Sequence, residues 1–127
     1  MTYPVTMTIE PQRVCDMFVG AFEGGSNYWL GRGLVQLVKP DQAAVANPEG
    51  VVWWGRTALY EQPFEISIYV VDDEETKVID NASVENALRV MAEKYPRHFA
   101  DLVNENDDAD TSDVFLQCCL FGELVYG

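Results

Sequence analysis

Apolar residues recur along the first thirty positions with two different periods. Residues 3 to 9 alternate, with Tyr3, Val5, Met7 and Ile9 on one side and Pro4, Thr6 and Thr8 on the other. This predicts a short strand, and Pro4 places it at a sheet edge. Pro11 suits the first turn of a helix, with Glu10 near the positive helix end. Val14, Met17, Phe18, Ala21 and Phe22 then form one helical stripe. The stripe ends at Glu23-Gly24-Gly25-Ser26-Asn27-Tyr28-Trp29. Paired glycines stop a helix and let the backbone approach another group closely. Ser26 and Asn27 favour turns and caps, and Tyr28 and Trp29 add two large rings with polar tips. The stretch predicts a packed, specific turn, serving either as a helix cap with two core aromatics or as a ligand-facing wall.

Beyond the turn, Gly33 to Lys39 has the Val and Leu content of a strand. Residues 40 to 50 predict a loop with one helical turn, and Val51 to Trp54 resume extended structure. Phe64, Ile66, Ile68 and Val70 alternate with Glu65, Ser67, Tyr69 and Val71, the clearest strand in the chain. Asp72 to Glu75 predict an acidic turn, with Thr76 to Ile79 pairing back. A second helix starts around Asn81 or Ser83, both able to cap it, and buries Val84, Ala87, Leu88, Met91 and Tyr95. Pro96 predicts a kink or a new helix, continued by Phe99, Leu102 and Val103. After the polar loop Asn104 to Asp110, Thr111 or Ser112 can cap a last helix. From Val114 to Phe121 that helix is apolar nearly all round, which makes it central. With no internal repeat and no linker, residues 1–127 are expected to form one α+β domain: a small, mainly antiparallel sheet covered by two or three helices.

Composition narrows the function classes. The chain's 127 residues, 48% hydrophobic, can build a core without disulfides or metal. Cys15 and the adjacent pair Cys118-Cys119 make a poor disulfide framework and are expected as buried hydrophobes in a reducing cytosol. The net charge of -13 repels nucleic acid and anionic membrane and favours a basic partner or simple solubility. Met1-Thr2-Tyr3-Pro4 has no signal-peptide character, and no apolar run reaches spanning length. A cytoplasmic protein is expected.

Catalytic and metal patterns are thin. His98 is the only histidine and lies beside Arg97 and Phe99, without a serine–aspartate arrangement. The loop Asn104 to Asp110 has neither the glycine nor the closing glutamate of a calcium loop. No phosphate loop or dinucleotide fingerprint occurs. Two local combinations remain. Trp29-Leu30-Gly31-Arg32 and Trp53-Trp54-Gly55-Arg56 each join an indole, a glycine and an arginine, a composition able to stack on a base and hold a phosphate. The alternative puts these tryptophans in the core and the arginines on its rim. Asp113 and Gln117, four apart, share one face of the last helix. Asp113 serves the helix N-terminus or lines a cavity; Gln117 is a pocket candidate or a core amide bonded to the backbone of the glycine turn. The acids of Asp72 to Glu75 and Glu105 to Asp110, together with Asp101, would imitate a phosphate row if they shared one side; otherwise they are solvated surface.

Ala21-Phe22-Glu23-Gly24-Gly25-Ser26-Asn27-Tyr28-Trp29, together with Asp113-Val114-Phe115-Leu116-Gln117 and Leu120-Phe121-Gly122-Glu123-Leu124-Val125-Tyr126-Gly127, resembles a group of small tailed-phage proteins without assigned function. The resemblance implies phage origin and, by analogy, a counter-defence role in the infected cell's cytoplasm. The expected function is therefore non-enzymatic capture of a small, nucleotide-like ligand. The expected ligand-binding residues are Gly24, Gly25, Ser26, Asn27, Tyr28, Trp29, Arg32, Trp53, Trp54, Arg56 and Gln117, without cofactor, metal or catalytic residue. The alternative is an acidic, DNA-mimic-like inhibitor of a basic host protein. No direct nucleic-acid or membrane contact is expected, and exposed aromatics would favour a homodimer.

Overall fold

The computed structural model describes residues 1–31, 34–47 and 49–127. Pro11 opens α1 (Pro11–Gly20), which buries Val14, Cys15, Met17 and Phe18 along one stripe. The helix then widens into one π-type turn over Ala21–Gly25, closed by the Ser26 N–H donating to the Ala21 carbonyl at 3.0 Å. Three antiparallel strands follow, β1 (Val35–Lys39), β2 (Glu65–Val70) and β3 (Glu75–Asp80), in the spatial order β1-β2-β3. The ladder between β1 and β2 is interrupted between Leu37 and Lys39, whereas β2 and β3 pair without a break. Ile66, Ile68, Val70 and Ile79 point into the core, while Tyr69 and Val78 lie on the open face. That alternation is the half-buried strand pattern of the sequence.

Three helices complete the chain: α2 (Asn81–Lys94), α3 (Pro96–Val103) and α4 (Ala109–Phe121). Pro96 starts α3 as a separate helix, as its ring and missing N–H require. Residues Thr111 to Cys119 of α4 are all buried, and the helix packs against α1, α2, α3 and β3. Phe18 joins the layers, stacking on Tyr60 at 5.1 Å and meeting Phe115 edge-on at 5.1 Å. The outcome is the expected α+β architecture. All three cysteines are free and buried.

Four local expectations are corrected. Residues 3 to 9 pair with no strand among the described residues. Alternation makes a segment fit for a sheet but cannot supply the partner that satisfies its backbone. Trp53–Gly55 forms a 3-10 turn instead of continuing an extended run. The cap of α4 is Asp108, which accepts from the Thr111 N–H at 3.0 Å, so Thr111 and Ser112 lie inside the helix. Asp80 likewise caps α2 in a reciprocal box with Ser83.

The two caps carry a pH signature. Backbone N–H groups hold the Asp80 and Asp108 carboxyls below their ordinary range. A carboxyl depressed in the folded state stabilises above its unfolded pKa, near 4, and that contribution fades as pH falls through the folded value. Asp80→Ala is expected to cost about 1 kcal/mol at pH 7. Urea denaturation should show the deficit shrinking as pH falls below about 4; an unchanged deficit would remove the carboxylate from the account.

Candidate functional site

The glycine turn and the tail converge on two polar residues of α4. Asp113 accepts from the Ser26 hydroxyl at 2.7 Å, the Tyr28 hydroxyl at 2.6 Å, the Trp29 indole N–H at 2.8 Å and the Gln117 amide at 3.0 Å. A buried carboxylate needs donors, and the turn supplies three. Gln117, fully buried, closes the other half. Its carbonyl accepts from the backbone N–H groups of Val125 and Tyr126, both at 2.8 Å, and its amide donates to the Tyr126 carbonyl at 3.2 Å. Tyr126 then stacks flat on Trp29 at 5.0 Å. Desolvation, followed by the hydrogen bond and charge of Asp113, pushes the Tyr28 hydroxyl up to about 12. It therefore remains a protonated donor at neutral pH.

Ser26, Tyr28, Trp29 and Gln117 are brought together with Asp113, in a clamp whose polar atoms face one another. Gln117 bonds the tail and Asp113, not the backbone of the glycine turn. Gly25 lies against α4, where a Cβ would meet the Ala109 carbonyl oxygen at 2.4 Å; at Gly24 nothing lies within 4 Å. Trp53 is buried and meets Trp54 edge-on at 5.3 Å. Arg56 is spent on backbone, donating to the carbonyls of Val51 at 2.8 Å, Gln42 at 3.1 Å and Val45 at 3.3 Å. Arg32 lies outside the described residues.

Beside the clamp is a half-open cleft of about 570 Å³, lined by Phe22, Glu23, Asn27, Leu30, Gly31, Val35, Val52 and Trp54. Asn27 and Trp54 are the expected residues that reach it. The Trp54 indole N–H donates to Glu23 Oε2 at 2.7 Å, which ties the end of the π-type turn to the Trp53–Gly55 turn. Phe22 meets the Trp54 ring edge-on at 5.9 Å. Among the described lining residues Glu23 carries the one charge, so the cleft joins an aromatic wall to a carboxylate. Phe22, Glu23, Leu30, Gly31, Val35 and Val52 lie outside the expected set. The spacing of Phe22 and Glu23 at a helix end was a signal; the contributions of Val35 and Val52 depend on tertiary folding.

His98 Nδ1 lies 3.3 Å from the Thr111 hydroxyl, but Thr111 is fully buried beside the Asp108 cap. No group of three metal-ligating side chains occurs among the described residues. Of the second acid loop, Asp107 pairs with Arg13 and Asp108 is the helix cap, so two acids already have partners inside the fold. Asp72, Asp73 and Glu74 remain exposed on the β2–β3 turn. No described helix is long and apolar enough to cross a membrane. No family model, curated protein or solved structure matches the chain.

Proposed function

We propose that this chain is a non-enzymatic binding protein whose cleft captures a small, flat ligand that is neutral or cationic where it meets Glu23. The observation that supports this is the Phe22–Trp54 wall with the Glu23 carboxylate tied to the Trp54 indole. At about 570 Å³ the cleft has the volume of small-molecule sites. Its rings suit stacking, and a carboxylate beside aromatic faces attracts a cation or an N–H donor. A nucleobase or nucleoside fits this lining better than its phosphate. Arg56 is engaged elsewhere, and the overall field of -13 opposes an anion. The likeness of the turn and tail to small tailed-phage proteins supports a counter-defence setting, in which capture alone would suffice. The acidic-inhibitor reading now rests on Asp72, Asp73 and Glu74, because Asp107 and Asp108 serve the fold.

Tryptophan-fluorescence titration with adenosine, adenosine 5′-monophosphate and tryptamine tests the proposal. Saturable binding of adenosine or tryptamine is expected, with the monophosphate roughly tenfold weaker, about 1.4 kcal/mol. Trp54→Ala should abolish binding. Glu23→Gln, which keeps an acceptor for the indole, should weaken tryptamine but not adenosine. Tighter binding of the monophosphate, no binding at millimolar concentration, or indifference to Trp54→Ala would overturn the reading.

A further inference from the structure

The segment Thr2 to Thr8 has the composition of a strand and none of its contacts. Tyr3 is 81% exposed, Val5 88% and Met7 56%, all on the same side of the alternation. Two-period patterning with Tyr, Val and Thr fits a pleated, half-covered surface. Here the side chains stay exposed until Ile9, the first partly buried residue. Met7, Thr8 and Ile9 line a groove with Leu88 of α2 and Phe99 of α3, so the arm leaves the body beside α2.

The same molecule carries an unpaired edge of matching length. β3 bonds β2 on one side, and no strand lies beyond it among the described residues. The two edges are unequal. β1 is broken between Leu37 and Lys39, a device that blocks pairing. β3 runs in unbroken register from Glu75 to Asp80 and shows Thr76 and Val78 on the open face.

We propose that the arm adds as a fourth strand to the β3 edge of a second copy, reciprocally, to form a twofold dimer. Charge selects the occupant. In a chain of net charge -13, residues 1 to 9 hold no acidic or basic side chain, so the arm can approach another copy where most of the surface would be repelled. Pro4 lacks an N–H, which suits a strand bonded along one side only. The exchange is isologous and therefore closes at two copies.

The test uses the full-length chain in light-scattering chromatography and amide hydrogen exchange. The wild type is expected at twice the 14.3 kDa chain mass. Amides of residues 2–8 and 75–80 should exchange at least about tenfold more slowly in the dimer than on dilution to monomer. Val5→Pro, which removes a ladder N–H, and Tyr3→Asp, which charges the apolar side, should each halve the mass and lose that protection. Neither residue is buried, so circular dichroism should stay unchanged. A monomeric wild type at 200 µM, roughly the upper range for a weak dimer, would overturn the proposal. So would a dimer that survives both substitutions, protection of residues 35–39 in place of 75–80, or protection that persists in the monomer.

Discussion

Asp113→Ala is expected to lose about 3–5 kcal/mol of folding free energy, a large share of the 5–15 kcal/mol that holds a domain together. The substitution removes the common acceptor of Ser26, Tyr28, Trp29 and Gln117. Each buried donor left unpaired costs about 1–3 kcal/mol. Ser26 has no exposure to water and bears most of that penalty, whereas Gln117 keeps its bond to the Tyr126 carbonyl and the partly exposed Tyr28 can turn to solvent. Asp113→Asn keeps the shape and one acceptor oxygen but turns an amide toward other donors, so an intermediate loss is expected. Urea denaturation of the three proteins reads the series directly. A loss under 1 kcal/mol for Asp113→Ala would mean that water replaces the carboxylate and that the clamp is not a stabilising element.

The paired glycines should prove unequal. Gly25→Ala would bring a methyl group within 2.4 Å of the Ala109 carbonyl oxygen and 3.2 Å of its carbon, in the first turn of α4. Neither atom belongs to a flexible side chain, so a helix or the turn must shift, at about 2–3 kcal/mol. Gly24→Ala meets open space, and its φ of 175° is extended backbone. Its effect should stay within about 0.5 kcal/mol. By calorimetry the first should lower Tm by roughly 6–12 °C and the second should hardly move it. Equal effects would indicate that glycine serves the backbone conformation at both positions instead of a close approach at one.

The same contrast explains what the sequence disclosed. Alternation from Glu65 to Val70 and the stripe of α1 were legible because each element solves its burial problem within its own period. The apolar girth of α4 announced a central helix for the same reason. The Asp113–Gln117 pair was visible at four-residue spacing, but its partners were not, since Ser26 and Tyr126 are neighbours only after folding. Trp54 and Arg56 share a four-residue composition yet take different tasks: one ring lines the cleft, while the guanidinium holds three loop carbonyls. The alternation at residues 3 to 9 was read correctly as pattern and wrongly as pairing, because a strand needs a neighbour that its own sequence does not encode.

The convergence on α4 also sets an order of events during synthesis. The Ser26–Trp29 turn is made early, but its acceptor Asp113 and the segment bonded by Gln117 are made only after the whole sheet and α2 and α3. Their sequence separations approach ninety residues, and such distant contacts slow folding by the loop entropy spent before they form. Nascent chains halted before residue 113 should therefore expose Phe18 and its neighbours without their lid.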